Sequence, residues 1–209
     1  MRRSCRRWPV TAFARAAVVI TAVLMVASSV PSAGGAPARA SGVGVVDFYA
    51  AGSLPPVVGV VPEVLAADDL ADLVARSGGG QVTVIPRATV RQAESALGWR
   101  GSDALRFARL RELARALDAD VLLVGWIQRL DLDRGTSSGK QGGGDIRMLT
   151  GFATVTVQVF DPRQTRVLAQ VEQSTYEIGI LSSRVAERLI RRVVEETVPS
   201  ILSAIARGR

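Results

Sequence analysis

Beyond residue 40 the chain has neither histidine nor cysteine, and its single lysine, Lys140, lies in a glycine-rich stretch. Serine triads that rely on histidine, cysteine nucleophiles, His/Cys zinc sites and imidazole acid/base chemistry are therefore excluded from that part of the chain. A serine/lysine pair would need a buried lysine with a depressed pKa, and nothing in a Gly/Ser-rich loop would bury Lys140. The segment Gly135-Thr-Ser-Ser-Gly-Lys140-Gln141 superficially resembles a phosphate loop. It is one residue short, places Gln141 where a magnesium-binding hydroxyl belongs, and joins two expected strands instead of a strand and a helix. Gly42-Val43-Gly44 precedes its strand, so it is no dinucleotide fingerprint. No catalytic, cofactor-binding or metal site is assigned, and the chain reads as a non-enzyme without a cofactor.

Carboxylates are the remaining reactive groups. Asp131 and Asp133, two residues apart, point to the same face of an extended strand and could hold a hard cation, although two acids are few for calcium's 6–8 oxygens. A solvated strand end is the simpler reading. Asp47 sits near the carboxyl end of the first expected strand, the edge where open α/β sheets bind ligands, and a capping role suits a lone acid there. On the last helix Arg184, Arg188, Arg191 and Arg192 interleave with Glu187, Glu195 and Glu196 at i, i+4 spacing, the pattern of a solvated, salt-bridged face. The apolar connector Leu54–Pro62 has no periodicity. It either packs over the sheet, the preferred reading, or meets a partner or membrane surface.

These residues are set on a recognisable order of elements. Val43–Phe48 and Val121–Ile127 are nearly continuous apolar runs, as in strands covered on both faces, and Val82–Pro86 is a third strand. Helical patterns lie between them. Glu63–Ser77 buries Ala66, Leu70, Leu73 and Val74 and turns Asp68, Asp69 and Asp72 to water, and Thr89–Leu97 is short. Ser102–Asp118 carries Phe107, Leu110, Leu113, Ala114 and Leu117 on one face, with Ser102 as its N-cap. In the second half Phe152–Phe160 alternates strictly, with Ala153, Val155, Val157 and Val159 against Thr154, Thr156 and Gln158. Arg166–Ile178 returns after a turn at Asp161-Pro162, with Val167, Ala169 and Val171 towards the core. A closing helix, Ser183–Ile205, should be kinked or split by Pro199. The sum is an α/β fold in two or three layers: a mixed sheet of about five strands flanked by helices, one domain, with an antiparallel hairpin in the second half.

Charge divides the chain differently. Residues 1–40 contain six arginines and no acid, around the apolar run Ala16–Val30, and end in Ala38-Arg39-Ala40. This is the layout of an export signal cut near Ala40. Without it, 20 basic residues (26 − 6) face 19 acidic ones, a net charge of +1, so the sequence pI of about 11.0 gives no reason to expect nucleic acid. Cys5 precedes the apolar run, whereas a lipoprotein cysteine follows it, so no lipid anchor through Cys5 is expected. Membrane contact through a retained signal stays open, though fifteen apolar residues fall short of the ~20 a helix needs to cross. Residues 41–209 form the folded domain, with a flexible Gly/Ser-rich loop at 134–145.

Val43–Phe48, Leu70–Gly78, Val82–Arg87, Ala108–Gly125, Ala153–Phe160, Asp161-Pro162 and Val167–Glu172 together resemble the periplasmic α/β domain of CsgG-like curli assembly and transport proteins. That domain is similar to the N-terminal domain of TolB-like proteins. The resemblance implies a non-catalytic, exported protein, periplasmic or envelope-associated, acting in assembly or secretion through protein contacts, self-association included. The curli channel is a lipidated ring whose protomers each give two membrane hairpins. This chain offers one, Trp126–Arg134 with Ile146–Phe152, in which Arg129, Asp131 and Asp133 share a face. Two alternatives stand beside this reading: a small-ligand or nucleotide-binding module using the sheet edge near Asp47, and a subunit of an outer-membrane secretion channel.

Overall fold

A computed structural model describes residues 40–136 and 147–208. The expected export signal and the expected Gly/Ser-rich loop bearing Lys140 fall on residues outside these. Six strands form one mixed sheet: β1 (Ser41–Val45), β2 (Tyr49–Ala50), β3 (Val82–Val84), β4 (Val121–Thr136), β5 (Arg147–Asp161) and β6 (Arg166–Gly179). The helices are α1 (Pro62–Ser77), α2 (Arg87–Ala96), α3 (Phe107–Leu117) and α4 (Ser182–Arg207), with a 3-10 turn at Gly101–Leu105. The sheet runs β3-β1-β4-β5-β6, with the two-residue β2 also beside β4. β1 is parallel to β3 and β4, whereas β4, β5 and β6 are successively antiparallel.

The two halves of this sheet differ because their sequences differ. β1 and the start of β4 are apolar at every position but glycine and Ser41, and both faces are covered. One face carries Val43, Val45, Leu123 and Ile127 beneath α1 and α4, and the other carries Leu122 and Val124 beneath α3. In β5, alternation turns Ala153, Val155, Val157 and Val159 towards α4, and all four are fully buried. The domain therefore has three layers over its parallel half and two over most of its antiparallel half.

Local departures from the sequence pattern have packing causes. α4 is one uninterrupted helix of 26 residues through Pro199. A proline in a helix interior costs about 3 kcal/mol, but Val193, Val194 and Val198 before or beside it and Ile201 and Ile205 beyond it all pack into the core. Ser102 does not cap α3. It belongs to the 3-10 turn, where Asp103 accepts the Arg100 N–H at 3.0 Å, and α3 starts only at Phe107. In β6 the register shifts so that Ala169 faces Val159 but Val167 faces Phe160. Val167 is thus out of phase with Ala169 and Val171, and Leu168 packs against the main core in its place.

Glycine at 125 is required by a close approach. A β-carbon there would lie 2.2 Å from the Phe48 ring, which is 2% exposed and packs beneath the point where β1 hands over to β2.

Candidate interaction surface

The carboxyl edge of the parallel strands is filled by the chain's own charges. The Arg87 guanidinium donates to the Val45 carbonyl and to Asp47 Oδ1, and its Nε donates to Asp68 Oδ1 at 3.1 Å. Arg91 adds a bond to Asp68 at 2.8 Å and lies 3.6 Å from Asp47. Arg87 therefore joins the end of β1 and Asp47 to α1, and Asp68, expected in water, is part of the same cluster. Beneath it Glu94, 7% exposed, accepts the Asp47 N–H at 3.3 Å. Burial, then the neighbouring Asp47 charge, push the Glu94 carboxyl from 4.5 up to about 7.

A folded-state pKa above the unfolded value means that the folded chain holds the extra proton between the two. The stabilisation from Glu94 is thus complete below about pH 4.5 and lost as pH rises through about 7. Denaturant midpoints should fall for the wild type across this window and fall less for Glu94→Gln. An identical slope in both would refute the assignment.

Asp69, also expected in water, is turned towards α4. Burial raises its pKa, and Arg191 Nε lies 3.5 Å from its otherwise unpartnered Oδ2. The arginines of α4 do form the expected i, i+4 pairs, Arg191 with Glu187 at 3.7 Å and Arg192 with Glu196 at 3.4 Å. They also reach off the helix: Arg188 and Arg192 both meet Glu177 of β6, at 3.0 and 3.8 Å. The connector from residue 54 to 62 divides. Leu54, Val57 and Pro62 pack inward, while a turn at Gly59 leaves Val58 90% and Val61 61% exposed.

Asp131 and Asp133 do share a face with Arg129, opposite Phe152, Thr150 and Thr154 of β5. Asp131 is paired with Arg129, and no group of three or more metal-ligating acids occurs among the described residues. The other face of this hairpin, with Leu130, Leu149 and Gly151, lies under α4. A β-carbon on Gly151 would come 2.5 Å from Leu189 and 2.8 Å from Val185. The hairpin's apolar face is thus covered by protein.

What the arginine side of the hairpin opens onto is the face of the sheet that the described helices leave uncovered. From β4 come Trp126, Arg129 and Asp131, from β5 Gln158, Thr156, Thr154, Phe152 and Met148, and from β6 Gln170, Glu172, Ser174, Tyr176 and Ile178. Its middle is a hydroxyl and amide ladder, with Thr154 and Ser174 2.9 Å apart and Gln158 donating to Gln170 at 2.9 Å. Its far end is apolar. Tyr176 is 68% exposed, Ile178 48% and Met148 39%, and the chain leaving β6 adds Ile180 and Leu181, both more than half exposed. Arg129 stacks over Phe152 at 5.0 Å between these two regions. The alternation of Tyr176 and Ile178 with Thr175 and Glu177 is visible in the sequence, but it reads there as an ordinary strand.

No family model matches the chain, and no curated protein does. Among solved structures it is similar to the hypothetical protein CT253 of Chlamydia trachomatis, with a TM-score of 0.50 and 13% identity over 78% of this chain and 99% of that one. It is also similar to lipoprotein GNA1162 of Neisseria meningitidis (0.46, 16% identity, 80% and 99% covered) and to the LpoB C-terminal domain of Salmonella enterica (0.41, 16%, 66% and 83%). At such identities the likeness concerns the fold. These neighbours are not curli-channel proteins, so the resemblance to the CsgG-like and TolB-like families is corrected: it is not supported.

Proposed function

We propose that this chain is a non-catalytic, exported envelope protein that works by binding another protein through the apolar end of its open sheet face. The observation that carries the reading is the cluster Met148, Phe152, Tyr176, Ile178 and Ile180, on a surface of the sheet that no helix among the described residues covers. An exposed group of this kind marks an interaction site more often than a neutral surface. Tyrosine and an adjacent arginine, here Arg129, are favoured anchors in such contacts. The basic and apolar layout of residues 1–40 supports export. The alternative of a nucleotide at Asp47 loses support because Arg87 and Arg91 already occupy that carboxylate. The secretion-channel alternative loses support because α4, not lipid, is packed on the apolar face of the described part of the candidate hairpin formed by β4 and β5.

A photo-crosslinking residue at position 176, in the full chain expressed in its own cell, tests this. The expected outcome is a discrete protein adduct in the envelope fraction, on a chain starting near Ser41, that disappears when Ile178 and Ile180 are both changed to Asp while the melting temperature holds. A full-length cytoplasmic chain, or an adduct indifferent to those changes, would overturn the proposal.

A further inference from the structure

The other end of the same open face holds a cavity of different chemistry. It measures about 640 Å³, within the roughly 300–1,000 Å³ of small-molecule sites. It lies where the helical layer stops, between the 3-10 turn and the uncovered strands. Tyr49, Trp126 and Leu105 form its walls, and Gln128, Thr156, Gln158 and Gln170 its floor. Not one of the side chains lining it is charged.

We propose that this cavity binds a neutral glycan. Charged ligands are poorly served by a lining without an ion to meet them. An apolar ligand would strip water from the amides of Gln128, Gln158 and Gln170 without replacing their hydrogen bonds. A polyhydroxylated ligand matches instead, because each sugar hydroxyl donates and accepts, and so does each glutamine amide. Gln158 donates to Gln170 at 2.9 Å, which links the two side chains, yet each amide keeps further donor and acceptor capacity. Gln128 is likewise held, 3.4 Å from the Thr156 hydroxyl, which is itself 3.4 Å from Glu172. Such paired, pre-set amides suit neighbouring hydroxyls on one ring.

The aromatic wall completes the match. Pyranose rings present a C–H face that packs on an indole or phenol ring, and Trp126 and Tyr49 supply both. Tyr49 is fixed in place, since its hydroxyl accepts the Trp99 indole N–H and a β-carbon on Gly101 would meet its ring at 2.8 Å. Burial raises the Tyr49 pKa, so the phenol stays neutral. A wall and floor ordered before the ligand arrives lower the entropy lost on binding.

Cellotetraose and chitotetraose, both neutral, are suitable probes for the purified full chain, read by calorimetry and by saturation-transfer NMR. Saturable binding of at least one is expected, weakened at least about tenfold by Gln158→Ala/Gln170→Ala, a change worth about 1.4 kcal/mol. Gln170 is exposed, so Gln170→Ala alone serves as a variant that keeps the fold and should also weaken binding. Ile178→Asp should leave glycan binding unchanged, which separates this site from the protein-contact end of the face. No saturable binding of either probe, binding unaffected by the glutamine variants, or equal binding of an oligogalacturonate or of a tetrapeptide would each overturn the proposal.

Discussion

Arg87→Ala should destabilise the domain by about 2 kcal/mol, less than the roughly 3–5 kcal/mol of breaking a fully buried ion pair, because Asp47 and Asp68 keep 33% and 45% of their side-chain exposure. Its side chain is 11% exposed and holds the Val45 carbonyl at the end of β1, Asp47 just beyond it, and Asp68 of α1. Without it Asp47 loses its nearest cation while Glu94 remains beneath, so two carboxylates face each other with only Arg91, 3.6 Å away, to separate their charges. Arg87→Lys should recover little, because an ammonium cannot donate to three acceptors in the plane of a guanidinium. Adding Glu94→Gln to Arg87→Ala should restore part of the loss at pH 8 and almost none at pH 5, where Glu94 is already protonated. Urea unfolding of the four proteins at both pH values measures this. Additive effects at pH 8 would show that the two side chains do not interact.

The second large effect is steric. Gly125→Val places its first added carbon 2.2 Å from two atoms of the Phe48 ring, so the ring or the strand must move. Overpacking a core typically costs about 1–3 kcal/mol. Here both neighbours are confined, Phe48 by the core below it and residue 125 by pairing with Val157. A loss of about 3 kcal/mol is expected, a fall in Tm of roughly 6–12 °C for a domain of this size. Phe48→Leu should be destabilising alone but should relieve part of the Gly125→Val loss in the double variant. A double variant as unstable as the sum of the two singles would assign the damage to the strand backbone instead.

Both of these contacts join segments far apart in sequence, which is why neither was legible there. Periodicity placed the strands and helices because it reports which side of an element is covered, and the covered sides of β1, β4 and β5 agree with it. It does not report what covers them. Asp68 and Asp69 fall on the polar side of α1 and read as solvated, yet α2 and α4 bring Arg87, Arg91 and Arg191 to them. Val167 reads as a core position until the shift at Leu168 moves it. The two ends of the open face were invisible for the same reason. Thr154, Thr156 and Gln158 are polar in any half-buried strand, and whether they and Tyr176 meet water, a helix or a ligand depends on where α2 and α3 stop.

The split between a sheet half sealed on both sides and a half with one bare side also bears on how such a chain changes over generations. Substitutions at Val43, Leu122 or Leu123 are judged by packing, because each is fully buried. Those at Ser174, Tyr176 or Ile178 are judged by almost nothing in the fold, since their side chains point away from α4. One side of this domain is therefore constrained by packing, while the opposite side is constrained by what binds there and hardly at all by the fold. New binding specificities can accumulate there residue by residue, with no compensating repair of the interior.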